Sequence, residues 1–224
     1  MLEVIGNVLP NAVAIAISPL PIIAVILMLM SPRSKPMGLG FLAGWVAGIA
    51  VAVTVFTLLA GVIPEPEADK GSQPIIAIIQ LVMGVLLVLL GMKQWRSRPA
   101  AGEEGELPAW MTKIDTMGIG AVVGIAFALA AVNPKNLLAA AAAGTVIGRA
   151  EFSGGQLTWS IIVFTLIAAA TVLIPVLIAL LAPRRAAAVL ASIRTWLASN
   201  NAAIMTVVLF LLGAQVIGKG LGNF

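Results

Sequence analysis

The sequence predicts an all-α, polytopic membrane protein of six transmembrane helices, built as two inverted three-helix repeats with helices 1 and 4 broken. Three observations predict it. Hydrophobic residues make up 61% of the 224 positions and charged residues 10%, where a soluble domain is about 45–50% apolar and about 25% charged. The apolar residues gather into six long runs, each near the ~20 residues that a helix needs to cross a bilayer. Two of these runs carry matched prolines, 115 positions apart (19 and 134).

In chain order the runs are 3–31, 37–63, 74–93, 117–148, 156–182 and 201–218. Short alternating strands, the mark of a membrane barrel, are absent. Backbone groups in lipid must bond internally, which leaves helices. Between the runs, residues 64–73 (PEPEADKGSQ) predict an acidic, proline-rich loop. Residues 98–109 (RPAAGEEGELPA) form the longest polar stretch and divide the chain near its middle. The expected organisation is a first three-helix repeat over 1–97, a cytoplasmic linker over 98–116 and a second repeat over 117–224. Before the last run, Val189, Ile193, Trp196 and Leu197 share one helical face with Arg194 among them. That pattern predicts a short amphipathic helix in the membrane interface over about 185–199. Asp115 is placed to cap the fourth span, and Trp110 to anchor at the interface.

Lysine and arginine counts give the orientation. With six spans, Arg33, Lys35, Lys93, Arg96, Arg98, Lys113, Arg184, Arg185 and Arg194 share one side, against Lys70, Arg149 and Lys219 on the other. The positive-inside rule then puts both termini outside and the central linker in the cytoplasm. No cleavable signal peptide is expected, because Met1-Leu2-Glu3 lacks a basic region.

The halves resemble each other. Ser18-Pro19-Leu20-Pro21-Ile22-Ile23-Ala24 aligns with Asn133-Pro134-Lys135-Asn136-Leu137-Leu138-Ala139, and Gly40 with Gly155. Leu89-Leu90-Gly91 matches Leu211-Leu212-Gly213 at a slightly longer spacing. An odd number of spans per half inserts the second half upside down, an arrangement common in secondary transporters.

Several chemistries are excluded or disfavoured. Without cysteine or histidine there is no disulfide, thiol relay, haem ligation or His/Cys metal site. No G-x-x-x-x-G-K-[ST] phosphate loop occurs, and no carboxylates pair within a span. An enzyme is therefore not expected, nor a cofactor. The pI near 10.0 does not imply nucleic acid, since the basic residues form no stripe.

The candidate site lies at the paired prolines. Proline removes a backbone donor and clashes with the preceding turn, so Pro19 with Pro21 should open one helix and Pro134 the other. Opened backbone inside lipid is tolerated only where it lines a protein-enclosed cavity, and two broken helices in corresponding positions point to a transport site. Lys135 is the single ionisable residue deep in a run. A central lysine costs about 2.5–3.5 kcal/mol on insertion scales, and no Asp or Glu lies at its depth. Freed carbonyls, Asn133, Asn136, water or an anionic substrate group remain as its partners; snorkelling to an interface is the bland alternative. Ser18, Pro19, Pro21, Asn133, Pro134, Lys135 and Asn136 are thus the candidate substrate-binding residues. Gly40, Gly44 and Gly48, and likewise Gly120 and Gly124, recur every four residues and predict close helix packing.

Asn133-Pro134-Lys135-Asn136, Ser18-Pro19-Leu20-Pro21 and the three-plus-three layout resemble the LysE-type exporter superfamily. Within it the chain is most similar to the actinobacterial peptidoglycolipid- and sulfolipid-addressing proteins. Pro108-Ala109-Trp110 followed by Ile114-Asp115, and Trp196-Leu197 with Asn200-Asn201, carry the narrower likeness, which covers nearly the whole chain. The resemblance implies movement of envelope lipids or glycolipids from the cytoplasmic membrane toward the cell surface. Membrane lipids would be the substrate, lipid-synthesis or export proteins candidate partners, and a homo-oligomer is compatible. Two other classes stay open: an exporter of a small solute such as an amino acid or ion, and a non-transporting scaffold of a lipid-export machine.

Overall fold

The computed structural model describes residues 1–62, 74–98, 108–150 and 152–222. The expected loop at 64–73 lies outside these residues, as does most of the polar linker. Among the described residues the chain is helical throughout. The helices are α1 (Leu2–Ala16), α2 (Pro19–Met30), α3 (Ser34–Val62), α4 (Pro74–Arg96), a short 3₁₀ helix (Met111–Thr116), α5 (Ile119–Ala131), α6 (Pro134–Gly148), α7 (Gly154–Leu181) and α8 (Pro183–Leu221). Helices α3, α4, α7 and α8 are each long and apolar enough to cross a membrane. The pairs α1–α2 and α5–α6 pass the same test together, bent by 56° and 62°, so the chain has four to six spans. Leucine, isoleucine and valine side chains stand exposed along these helices, among them Val51, Val55 and Leu58 on α3 and Leu166, Ile174 and Leu177 on α7. Apolar exposure on that scale fits lipid as the solvent. The protein is a multi-pass membrane protein.

Both breaks are local consequences of sequence. Pro19 and Pro134 each occupy the first turn of a new helix, where the missing amide would have had no partner anyway. The preceding residues, Ser18 and Asn133, take non-helical dihedrals, as residues before proline tend to. Pro21 makes no break of its own; it sits buried within the first turn of α2. Pro10 and Pro175 lie inside continuous helices.

Two expectations are corrected. Residues 185–199 do not form a separate helix; they run without interruption into the last span as part of the 39-residue α8. At ~1.5 Å per residue that helix is far longer than the ~30 Å hydrocarbon layer, so part of it extends beyond. Asp115 does not occupy the cap position of the fourth span. It belongs to the 3₁₀ helix, and Gly118 takes the cap position of α5.

The contacts divide the chain into two units, each drawn from both sequence halves: Met1–Val62 with Glu106–Ala198, and Ile63–Gly105 with Ser199–Phe224. In the first, α3 is the central helix. Its Phe41, Trp45, Ile49 and Val53 are fully buried at four-residue intervals, with Phe41 and Trp45 stacked 6.4 Å apart. The broken pair α5–α6 runs parallel to α3. A side chain at Gly44 would strike the Val123 carbonyl, and one at Gly48 would lie 2.8 Å from that of Phe127. Further along, the glycines change helix: Gly144 and Gly148 of α6 lie against Val53, Phe56 and Thr57 of α3. Gly120 and Gly124 differ from this pattern, since a side chain there meets nothing within 4 Å. The expected packing role for that second pair is absent among the described residues.

The second unit pairs α4 with the later part of α8, antiparallel. Gly84 faces Gly213 and Ile217, Gly91 faces Phe210, and Gly220 faces Ala77 and Gln80. The single hydroxyl hydrogen of Thr206 is shared between the Ala202 carbonyl of its own helix, 2.8 Å away, and the Gly91 carbonyl, 3.2 Å away. Small residues on both helices let the backbones approach.

Candidate functional site

The last four carbonyls of α1 come first, because a helix end buried without partners is costly. Each one is satisfied. The Val13 carbonyl accepts from the Ile17 amide at 2.9 Å. That of Ala14 accepts from Lys135 Nζ at 2.6 Å. Ile15 accepts from Ser18 Oγ at 2.7 Å. Ala16 accepts from Thr171 Oγ1 at 2.6 Å and from the Ser18 amide at 2.8 Å. Beyond the helix, the Ile17 carbonyl accepts a second hydrogen bond from Lys135 Nζ at 2.9 Å, and Ser18 Oγ accepts a third at 2.7 Å.

Lys135 therefore joins the two breaks. It is the second residue of α6 and is 3% exposed. An ammonium has three hydrogens, and here all three go to protein oxygens at the α1–α2 break. On its own helix the charge is badly placed, at a positive N-terminus. At the C-terminal end of α1 it is well placed, against the negative end of that helix. Hydrogen bonds to charged groups contribute about 1.5–3 kcal/mol each. Three of them offset the ~2.5–3.5 kcal/mol insertion cost of a central lysine. No acidic residue lies between Glu3 and Glu65 or between Asp115 and Glu151, and among the described residues the ammonium is met by dipoles alone. Snorkelling is not the solution adopted.

The neighbouring residues build the second break. Asn133 Oδ1 accepts from the Lys135 amide at 3.0 Å, capping α6. Asn136 is 1% exposed; its amide donates to the Leu129 carbonyl near the end of α5 at 3.0 Å, and its Oδ1 is buried without a protein donor. Ser18, Asn133, Lys135 and Asn136 thus work on the backbone at the breaks, while Pro19, Pro21 and Pro134 shape it. Thr171, on α7, was not foreseen; a threonine in an apolar helix gives no sequence signal. Asn11, one turn before Ala14, was also missed. It is buried with its Oδ1 unpaired, and an asparagine within an apolar run was the available signal. Among the described residues no group of His, Cys, Asp or Glu could hold a metal ion.

The ends of the first unit are also ordered. Arg33 Nη1 donates to the Met117 carbonyl at 3.4 Å, which brings the α2–α3 turn to the start of α5. Gly38, near the start of α3, lies against Val176 in the last third of α7. At the opposite end of α3, Ala60 meets Gly148 beside Arg149. Arg33 and Arg149 therefore belong to opposite ends of this unit.

Comparison with characterised proteins and with solved structures returns no match. A family model described as "Sap, sulfolipid-1-addressing protein" matches residues 8–222. With nearly its whole length aligned, and with the resemblance read from Asn133-Pro134-Lys135-Asn136 and Ser18-Pro19-Leu20-Pro21 agreeing, this chain belongs to the sulfolipid-1-addressing protein family.

Proposed function

We propose that this protein carries an envelope lipid or glycolipid with an anionic head group from the cytoplasmic membrane toward the cell surface, as a transporter and not as an enzyme. One observation carries the reading: a buried lysine without an acidic partner bridges two broken helices. Family membership supports a role in lipid addressing. A head-group phosphate, sulfate or carboxylate supplies the anion that the site lacks, and an ammonium in a low-dielectric site attracts it far more strongly than in water. Acyl chains stay in the bilayer, so the enclosed space holds only the polar part. The two halves act as inverted repeats that rock about the breaks. Both termini face outward; the opposed placement of Arg33 and Arg149 within the first unit supports that topology.

A second reading is favoured by the saturated ammonium. Lys135 acts only as a bolt that closes the α1–α2 break, and the polar substrate is held elsewhere. Reconstitution in liposomes separates the two. Head-group accessibility of anionic and zwitterionic lipids is followed over time for the wild type, Lys135→Arg and Lys135→Ala at matched protein content. Direct engagement predicts movement of the anionic lipid by the wild type, partial retention by Arg, which keeps the charge, and loss by Ala. Folded Lys135→Ala with wild-type rates assigns the bolt.

A further inference from the structure

We infer that the oxygen cluster now filled by Lys135 is a binding site for a monovalent cation, occupied when the lysine leaves it to meet the head group, so that anionic substrate and free cation bind together. The cluster consists of the carbonyls of Ala14 and Ile17 and the hydroxyl of Ser18, converging on one buried point at 2.6, 2.9 and 2.7 Å. These oxygens are supplied by α1 and the break that follows it, and not by the helix that carries the charge. They form a place for a cation that this chain fills with a tethered one.

Lys135 abandons its acceptors only if it meets a head group as proposed above, and the cluster is emptied only on that reading. Three ammonium hydrogens cannot serve both sets of oxygens. Once it turns away, the Ala14 and Ile17 carbonyls lose the only donors they have among the described residues. Ser18 Oγ is held in place by its bond to Ile15, so its free lone pair stays aimed at the same point. Leaving buried acceptors bare at a negative helix end is unfavourable. A small cation restores the charge that the lysine removed. Broken-helix carbonyls at helix C-termini are the groups that bind coupling ions in membrane carriers. The spacing set by an ammonium suits an ion of similar size, such as potassium, and excludes a bulky one such as choline. By linkage, the factor by which bound anion raises the affinity for the cation is the factor by which bound cation raises the affinity for the anion.

The test uses the full chain in detergent micelles. Lys135→Ala opens the cluster, and its thermal unfolding is followed in potassium chloride, methylammonium chloride and choline chloride at equal ionic strength, beside the wild type. Potassium or methylammonium should raise the variant's midpoint over choline and leave the wild type unmoved, and adding Ser18→Ala should weaken that response. Equal midpoints in the three salts overturn the inference and leave the transport reading standing. Where Lys135→Ala does not fold, the wild type is titrated with dihexanoyl phosphatidic acid in potassium and in choline chloride. Potassium should tighten binding by roughly 5- to 150-fold, the usual range of coupling between sites. Equal binding in both salts overturns the cation site alone, whereas no binding in either overturns the proposed head-group site and the cation site with it.

Discussion

Gly48 and Gly124 look alike in the sequence, each the end of a four-residue glycine spacing, and they should respond to alanine differently. A Cβ at Gly48 would lie 2.7 Å from the Ala130 side chain and 2.8 Å from the Phe127 carbonyl, while ordinary contact begins at 3.4 Å. The shortfall of about 0.6–0.7 Å involves a methyl and a backbone oxygen, neither of which can rotate away, and overpacking of this kind costs about 1–3 kcal/mol. Lipid gives the helices no hydrophobic reason to close up elsewhere, so the α3–α5 seam must widen. Alanine also favours a helix over glycine by about 0.8–1.0 kcal/mol, at both sites alike. Gly48→Ala therefore comes out neutral to destabilised by about 2 kcal/mol. Gly124→Ala meets nothing within 4 Å and keeps only the propensity gain. The difference between the two variants is about 1–3 kcal/mol. Unfolding in mixed micelles by titration with dodecyl sulfate, read by far-ultraviolet circular dichroism, measures it. A Gly48→Ala protein as stable as Gly124→Ala would refute the close approach of α3 and α5.

Other outcomes follow from the bonds at the breaks and from the charge distribution. Ser18→Ala removes the only donor to the Ile15 carbonyl among the described residues and one acceptor of Lys135, an expected loss of about 1–3 kcal/mol. Thr171→Val should cost less, about 0.5–1.5 kcal/mol, because the Ala16 carbonyl keeps its bond from the Ser18 amide; the same titration orders the two, and the reverse order contradicts this account. The native chain has no cysteine, so single replacements report topology cleanly. In intact cells an impermeant thiol reagent should label Arg149→Cys and spare Lys113→Cys, both at exposed positions; the opposite pattern inverts the proposed orientation.

The spans were legible because lipid imposes one requirement along their whole length. The run at 3–31 appears as α1 with α2, and the run at 117–148 as α5 with α6, within two residues. The breaks were legible from proline only in context. Pro10 and Pro175 are absorbed into helices. Pro19 and Pro134 begin new ones after Ser18 and Asn133, whose polar side chains can serve freed backbone groups. The partner of Lys135 was not legible. Freed carbonyls were one of several partners open to it, and choosing among them needs the packing of α6 against α1, which no local pattern encodes. Glycine spacing gave helix approach without saying which helices approach, so Gly44 and Gly120 could not be told apart. The amphipathic face near Val189 predicted helix correctly, but periodicity carries no signal for whether a helix stops, and nothing between Trp196 and Ala202 breaks it.

The two breaks resemble each other in geometry and differ in chemistry, and the difference explains why a lysine stands at 135 and a leucine at 20. Near the end of α5 the two carbonyls with a donor among the described residues are served locally: that of Ala128 accepts from the Val132 amide and that of Leu129 from the Asn136 side chain, seven residues on. Near the end of α1 local donors run short. Pro21 stands where its counterpart is Asn136 and offers no side-chain donor. Ser18 can donate one hydrogen, and spends it on Ile15. The remaining carbonyls must be reached from α6 and α7, by Lys135 and Thr171. One half of the chain is thereby made dependent on the other at the point where both are broken. A neutral donor would satisfy the same oxygens without the insertion cost of a charge. Retaining the ammonium is consistent with a position that must at some stage attract an anion, which is the difference that the Lys135→Arg and Lys135→Ala rates measure.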